Sequence, residues 1–156
     1  MMRRDLSSDL PQEPRLVPLV LIADDSPTMR IVTRHALERA GLLARDVAIP
    51  REVIAAAEAD RPELFLLDIT FDRWAQTDGY QLCRALRDLP EFRDTPILLV
   101  SGHDGFVDRV RGRLAGATGY ITKPFEMTAF VERVSALANE ELHRRQSGAA
   151  RNHWRR

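Results

Sequence analysis

Phe65-Leu66-Leu67-Asp68-Ile69-Thr70 is an apolar run that carries one carboxylate near its end. Unbroken apolarity over a short stretch fits a strand buried on both faces, as in parallel sheets. The same arrangement recurs outward along the chain. Leu19 to Ala23 ends in Asp24 and Asp25, Ile97 to Val100 ends in Ser101, and Tyr120-Ile121-Thr122 is followed by Lys123-Pro124. Each run places a polar group just past its carboxyl end. In an open parallel sheet those ends form a crevice in which ligands bind.

Helical patterns separate the runs. Ser26 can cap a helix and Pro27 suits its first position. Met29, Val32, Ala36, Leu37 and Ala40 then recur at helical spacing, and Gly41 closes the helix. A short strand is predicted around Asp46 to Ile49. Pro50 opens an Ala-rich helix that Arg61-Pro62 stops. A third helix is predicted from Gly79 to about Asp88, a turn over 90–95, and a fourth helix from about Gly105 to Ala115 with Arg109, Arg111 and Arg113 facing solvent. A fifth helix starts near Glu126 with Phe130, Val134, Leu137 and Leu142 inward. Five strands alternating with five helices predict a doubly wound α/β fold with right-handed crossovers. Residues 1–15 read as a flexible N-terminal arm, 16–143 as the domain and 144–156 as a basic, frayed tail.

Composition limits the function classes. A chain of 156 residues with 44% hydrophobic content suits one domain with a sizeable core. Zero formal net charge offers no bulk attraction to nucleic acid or to an anionic membrane. No apolar run approaches the roughly 20 residues needed to cross a bilayer, and the basic start Met1-Met2-Arg3-Arg4 lacks an apolar segment behind it. Cys83 is the single cysteine, so no internal disulfide can form. A cytoplasmic protein without membrane insertion is expected. Of the 23 basic residues only Lys123 is a lysine, which marks it for a task that Arg cannot perform.

Asp24, Asp25 and Asp68 converging in one crevice repel one another, and a divalent cation relieves that repulsion. Carboxylates and water, with no His or Cys nearby, suit Mg²⁺, with the Thr70 backbone carbonyl as a further oxygen. Mg²⁺ sites of this kind also hold phosphoryl groups, and a carboxylate can accept one as an aspartyl phosphate. Asp68 is placed to be that acceptor. Ser101 and Lys123 supply a hydroxyl and a compact cation for the phosphoryl oxygens.

The segments Leu21-Ile22-Ala23-Asp24-Asp25-Ser26-Pro27, Leu67-Asp68, Val100-Ser101-Gly102 and Tyr120-Ile121-Thr122-Lys123-Pro124-Phe125 together resemble a CheY-like receiver domain of bacterial two-component systems. The resemblance spans about Val17 to Asn139 and implies a flavodoxin-like sheet with strand order 2-1-3-4-5. It implies that Asp68 takes a phosphoryl group from a histidine kinase, that Asp24 and Asp25 hold Mg²⁺, that Ser101 and Lys123 bind phosphoryl oxygens, and that the Lys123-Pro124 peptide is cis. It also implies a switch. Ser101 moves to the phosphoryl group, Tyr120 turns inward behind it, and the face of the fourth helix, fifth strand and fifth helix is remodelled for a downstream protein or a phosphorylation-dependent homodimer. Asp78-Gly79-Tyr80-Gln81, the segment 90–96 and Asp104-Gly105-Phe106-Val107-Asp108 further resemble twitching-motility (type IV pilus) regulators.

One departure stands beside the resemblance. The loop after Asp68 is longer than is usual, lacks Pro, and carries Phe71, Asp72, Arg73 and Trp74. Trp74 is expected to shield or report on the site. Nucleic-acid binding through the Arg-rich tail lacks any reader domain after Asn139. An aspartyl-phosphate phosphatase of the haloacid-dehalogenase type would need an acid where Thr70 stands, so a phosphoryl acceptor rather than an enzyme is expected. A receiver portion of a longer regulator or hybrid kinase stays open.

Overall fold

The structure is a computed structural model that describes residues 15–69, 78–102 and 105–153. The strands are β1 (Leu19–Ala23), β2 (Leu43–Val47), β3 (Leu64–Asp68), β4 (Ile97–Ser101) and β5 (Gly119–Thr122). The helices are α1 (Pro27–Arg39), α2 (Pro50–Asp60), α3 (Gly79–Asp88), α4 (Phe106–Leu114) and α5 (Met127–His153), with a short 3-10 turn at Pro90–Phe92. The sheet is wholly parallel in the order β2-β1-β3-β4-β5, as the sequence reading expects.

Alternation along the strands sorts the core into two layers. Leu21, Ala23, Phe65, Leu67, Ile97 and Leu99 pack on one face with Val53 of α2, Leu82, Cys83 and Leu86 of α3. Val20, Ile22, Leu64, Leu66, Leu98, Val100 and Ile121 pack on the other with Leu37 of α1 and Phe130, Val134 and Ala138 of α5. Because side chains alternate with a period of two, Asp24 continues the α1/α5 parity of Val20 and Ile22. Asp68 likewise continues that of Leu64 and Leu66. Ser101 and Tyr120 follow the opposite parity, toward α3 and α4.

Local chemistry sets the helix ends. The Ser26 hydroxyl accepts from the Met29 amide at 3.3 Å with Pro27 at the first position. Asp78 and Gln81 form a reciprocal capping box at the start of α3 (2.9 and 3.3 Å). Gly41, at φ 87°, turns the chain out of α1.

The first strand runs from Leu19 to Ala23, as its apolar run does. Two expected boundaries shift. β2 runs from Leu43 to Val47, not Asp46 to Ile49. It is an edge strand whose Leu43 and Arg45 face solvent, so apolarity does not mark it, and pairing from Leu19↔Leu43 to Ala23↔Val47 sets its register. The second correction is at the C-terminus. No frayed tail starts at Arg144, because α5 continues to His153 as a 27-residue helix.

The polar contacts that extend α5 lie at the amino-terminal edge of the sheet. Glu63 and Glu141 are buried carboxylates. Glu63 accepts from the Leu19 amide at 2.6 Å and from Arg15 at 3.2 Å. Arg144 grips Glu141 through two hydrogen bonds of 2.8 and 2.7 Å. Arg145 donates to Glu141 (2.9 Å), the Arg61 and Pro62 carbonyls (2.9 and 2.8 Å) and the Thr95 hydroxyl (3.0 Å), and it lies 3.5 Å from Glu63. Arg61 itself has a left-handed backbone, φ 48°, which turns its carbonyl to both Arg15 and Arg145. Arg15, the last residue of the expected arm, is therefore tied to the domain.

Candidate functional site

Parallel register sets the strand ends side by side. Ala23 pairs with Leu67, Asp68 with Val100 and Ser101 with Thr122. Asp24, Asp68, Ser101 and Lys123 thereby meet along one edge of the sheet.

Asp68 is the last residue of β3 and is only 5% exposed. The Lys123 ammonium donates to its Oδ2 at 2.8 Å and lies 3.9 Å from Asp24 Oδ2. One cation thus bridges two carboxylates. The Lys123-Pro124 peptide is cis, and the Lys123 amide donates to the Ser101 carbonyl at 2.6 Å. Ser101 is buried at the end of β4.

Asp24 is buried, and its Oδ1 accepts from the Ser26 amide at 2.9 Å. Burial pushes its carboxyl up to about 6; the Ser26 amide and Lys123 oppose the rise, and the Asp68 and Asp25 charges add to it. Asp25 follows it and is half-buried. A hollow of about 20 Å³, room for one water molecule, opens between Asp24, Asp68 and Lys123 over Met29, Thr33 and Phe125. Thr70 and Trp74 lie outside the described residues.

Among the described residues no three His, Cys, Asp or Glu side chains are drawn together tightly enough to form a ready metal cage. The donor set nevertheless suits Mg²⁺. It offers hard carboxylate oxygens, and Mg²⁺ keeps several of its waters and needs only one or two carboxylates from the protein. The charge argument agrees: burial and like charge hold the Asp24 carboxyl above the usual carboxylate range, a penalty on its ionised form that a cation relieves.

Sequence reasoning missed three supporting residues. Arg30 donates from Nη1 to the Asp24 carbonyl at 2.9 Å and from Nε to Asp46 at 3.2 Å, pinning the turn that carries Asp24 and Asp25. Nothing in the sequence pairs Arg30 with Asp46, since an edge-strand register joins them. Gly79 lies so close to the end of β3 that a Cβ there would sit 2.6 Å from the Asp68 carbonyl oxygen. Tyr80, the next residue, is buried, with its hydroxyl donating to the Asp108 carbonyl at 3.2 Å.

A parallel sheet in the order 2-1-3-4-5, with acidic groups and a lysine on its carboxyl edge, defines a CheY-like doubly wound domain. The model of the response regulator receiver domain matches residues 20–135, and the chain belongs to that family, the receivers of two-component signalling. It is 29% identical over 117 residues to Protein PilG of Pseudomonas aeruginosa, covering 75% of this chain and 84% of that one. It is 34% identical over 124 residues to the transcriptional regulatory protein CseB of Streptomyces coelicolor, covering 80% of this chain but only 50% of CseB. The chain thus spans about half the length of that regulator. Among solved structures, chemotaxis protein CheY4 of Vibrio cholerae superposes with a TM-score of 0.71 at 26% identity, covering 78% of this chain and 98% of CheY4. No helix among the described residues is long and apolar enough to cross a membrane.

Proposed function

We propose that Asp68 is the phosphoryl acceptor of a phosphorylation-switched response regulator, and that the α4–β5–α5 face signals to a downstream protein. The observation that carries this reading is the Lys123 ammonium shared by Asp68 at 2.8 Å and Asp24 at 3.9 Å. A carboxylate oxygen of Asp68 attacks the phosphorus of a kinase phosphohistidine, the P–N bond breaks, and the imidazole leaves with the electron pair. Lys123 follows the new charge, and Ser101 offers its hydroxyl to a phosphoryl oxygen. Asp24, Asp25, Asp68 and the Thr70 carbonyl would hold Mg²⁺, which when bound neutralises charge on the phosphoryl oxygens. Arg30 keeps the Asp24 turn in place. The role is that of an acceptor with slow self-dephosphorylation, not of a turnover enzyme.

Incubation with acetyl phosphate and Mg²⁺ is expected to add the mass of one phosphoryl group. The Asp68→Asn variant is expected to gain none, since an amide is not a nucleophile at this step. Labelling that persists in Asp68→Asn, or catalytic turnover of free phosphomonoesters, would overturn the assignment.

Exposed apolar side chains along α4 support the output face. Phe106, Val107 and Leu114 are 83%, 68% and 75% exposed, and such a run marks a docking surface. Phe106→Asp with Leu114→Glu is expected to weaken binding of the phosphorylated chain to its target at least tenfold, about 1.4 kcal/mol, while acetyl phosphate labelling is retained. A pull-down and a labelling assay on the same preparation check this. Likeness to PilG and to chemotaxis protein CheY4 favours motility- or chemotaxis-type signalling. A cytoplasmic receiver that forms a phosphorylation-dependent homodimer on this face is the second form of the same output, and CseB-like regulators favour a receiver within a longer chain.

A further inference from the structure

The turn that carries Asp24 and Asp25 is held from three sides. The Asp24 amide donates to the Val47 carbonyl of β2 at 3.2 Å. Its Oδ1 accepts from the Ser26 amide at 2.9 Å, and its backbone carbonyl accepts from Arg30 Nη1 at 2.9 Å. That carbonyl lies past the end of β1, beyond the sheet ladder, so a side chain supplies its donor.

Arg30 is itself anchored. Register pairs Ile22 with Asp46, and paired residues share one face of a sheet. Ile22 packs in the layer of α1 and α5, so Asp46 points from β2 toward α1. Its Oδ2 accepts from Arg30 Nε at 3.2 Å and its Oδ1 from Arg34 Nη1 at 2.8 Å. Arg34 also donates to Glu38 at 2.9 Å. Arg30 and Asp46 are partly buried, whereas Arg34 and Glu38 are exposed. Of the two arginines on Asp46, Arg30 is the one that also holds the Asp24 carbonyl, because it sits one helical turn nearer the strand ends. The planar fork of a guanidinium lets one side chain grip both acceptors at once.

We infer that Arg30 and Asp46 are positioning residues for the cation site: they hang the Asp24-Asp25 turn from edge strand β2 and thereby set its affinity for Mg²⁺. The inference rests on the Mg²⁺ reading proposed above and adds to it two side chains that do not touch the ion. Mg²⁺ demands near-ideal octahedral geometry, so carboxylates already ordered in the free chain bind it without a further ordering cost. Charge alone acts in the opposite direction. A guanidinium beside the site repels a divalent cation, and its removal would tighten binding. Position and charge therefore predict opposite signs for the same substitution. Asp46 acts through Arg30, so with Arg30 gone it has no further hold on the Asp24 carbonyl.

The test titrates the full chain with Mg²⁺ alone and follows the backbone amide resonances of Asp25 and Ser26, at a temperature where melting curves show every variant folded. Arg30→Ala is expected to weaken Mg²⁺ binding about fivefold, the scale of one net hydrogen bond. Asp46→Ala is expected to weaken it in the wild-type background and to leave it unchanged in the Arg30→Ala background. Loss of a negative charge by itself would weaken it in both. Arg34→Ala removes the outer, exposed cation from the same carboxylate and is expected to stay within about twofold of the wild type. Unchanged or tighter binding by Arg30→Ala, losses that add in the double variant, or an equal loss for Arg34→Ala would overturn the inference; the last would assign the effect to the packing of α1 on β2. A wild-type chain that does not bind Mg²⁺ would overturn the cation-site reading itself, whereas a wild-type chain that binds it with Arg30→Ala indistinguishable overturns only the positioning role.

Discussion

Replacing Arg145 by Ala is expected to destabilise the fold by about 3–5 kcal/mol, the cost of stranding buried charge when one partner of an ion pair is removed. Glu63 and Glu141 are each 4% exposed at the side chain, and both lie against this guanidinium. Arg15 and Arg144 remain as second cations for them, which sets the expectation at the lower end of that range. The Arg61 and Pro62 carbonyls and the Thr95 hydroxyl lose a donor at the same time. Arg145→Lys is expected to recover only part of the loss, because an ammonium cannot reach this many acceptors in one plane. Urea melts of the wild type and both variants check the ranking. A chain ending at His143, the boundary that apolar pattern alone suggests, lacks both arginines and is expected to melt well below the full chain. A truncated chain as stable as the full one would show that the extended α5 is dispensable.

Asp24→Asn is expected to have the opposite effect on stability and to abolish Mg²⁺-dependent labelling. In the folded chain Asp24 ionises near pH 6, above its ordinary value of 3.8. The native state then holds the proton more tightly than the unfolded chain does. By linkage, the contribution of Asp24 to stability is fully present below pH 4, declines as pH rises through the interval between the two values, and is lost above pH 6. Two pKa units correspond to roughly 3 kcal/mol, and screening through the open mouth of the crevice reduces this to about 1–2 kcal/mol. Asn keeps the acceptor for the Ser26 amide and removes the charge, so the variant is expected to be more stable at pH 7.5 without Mg²⁺ and to lose the decline between pH 4 and 6. Melting curves across that interval in metal-free buffer are the check. Asp24→Asn is expected to label with acetyl phosphate no better in Mg²⁺ than without it. A variant that is less stable at neutral pH would show that Lys123 outweighs the burial and the Asp68 repulsion.

The two predictions fall on opposite edges of the sheet. At the carboxyl edge, charges are crowded and uncomfortable, as suits a site that must take on a ligand. At the amino edge, equally buried carboxylates are fully paired and serve only to hold the fold. Stability given up at one edge is offset by contacts at the other, a division often seen where a site stores strain.

The buried strands were legible because their apolar runs are continuous: Leu19–Ala23, Leu64–Asp68 and Ile97–Ser101 lie in the sheet centre and need no alternation. β2 carries no such signal, because an edge strand with Leu43 and Arg45 in solvent has no apolar run. The end of α5 is hidden from apolar pattern for a different reason. Its last anchored turns are held by Arg144 and Arg145 on Glu141 and Glu63, and a hydrophobic period does not register guanidinium–carboxylate contacts. Arg111, expected in solvent, keeps half its side chain exposed while its guanidinium lies over Tyr80.

By itself the sequence determined the fold class and the order of polar residues past the strand ends, and it marked Asp68 and the lone Lys123 as candidates, because periodicity and punctuation are local properties of a chain. Tertiary structure decided what those residues touch. Which carboxylates share Lys123, that Arg30 reaches across to Asp46, that the Tyr80 hydroxyl meets the Asp108 carbonyl, and that Arg15 and Arg145 close on one glutamate all depend on strand register and helix docking. Those contacts join residues far apart in the chain, and no local pattern encodes a distance between them.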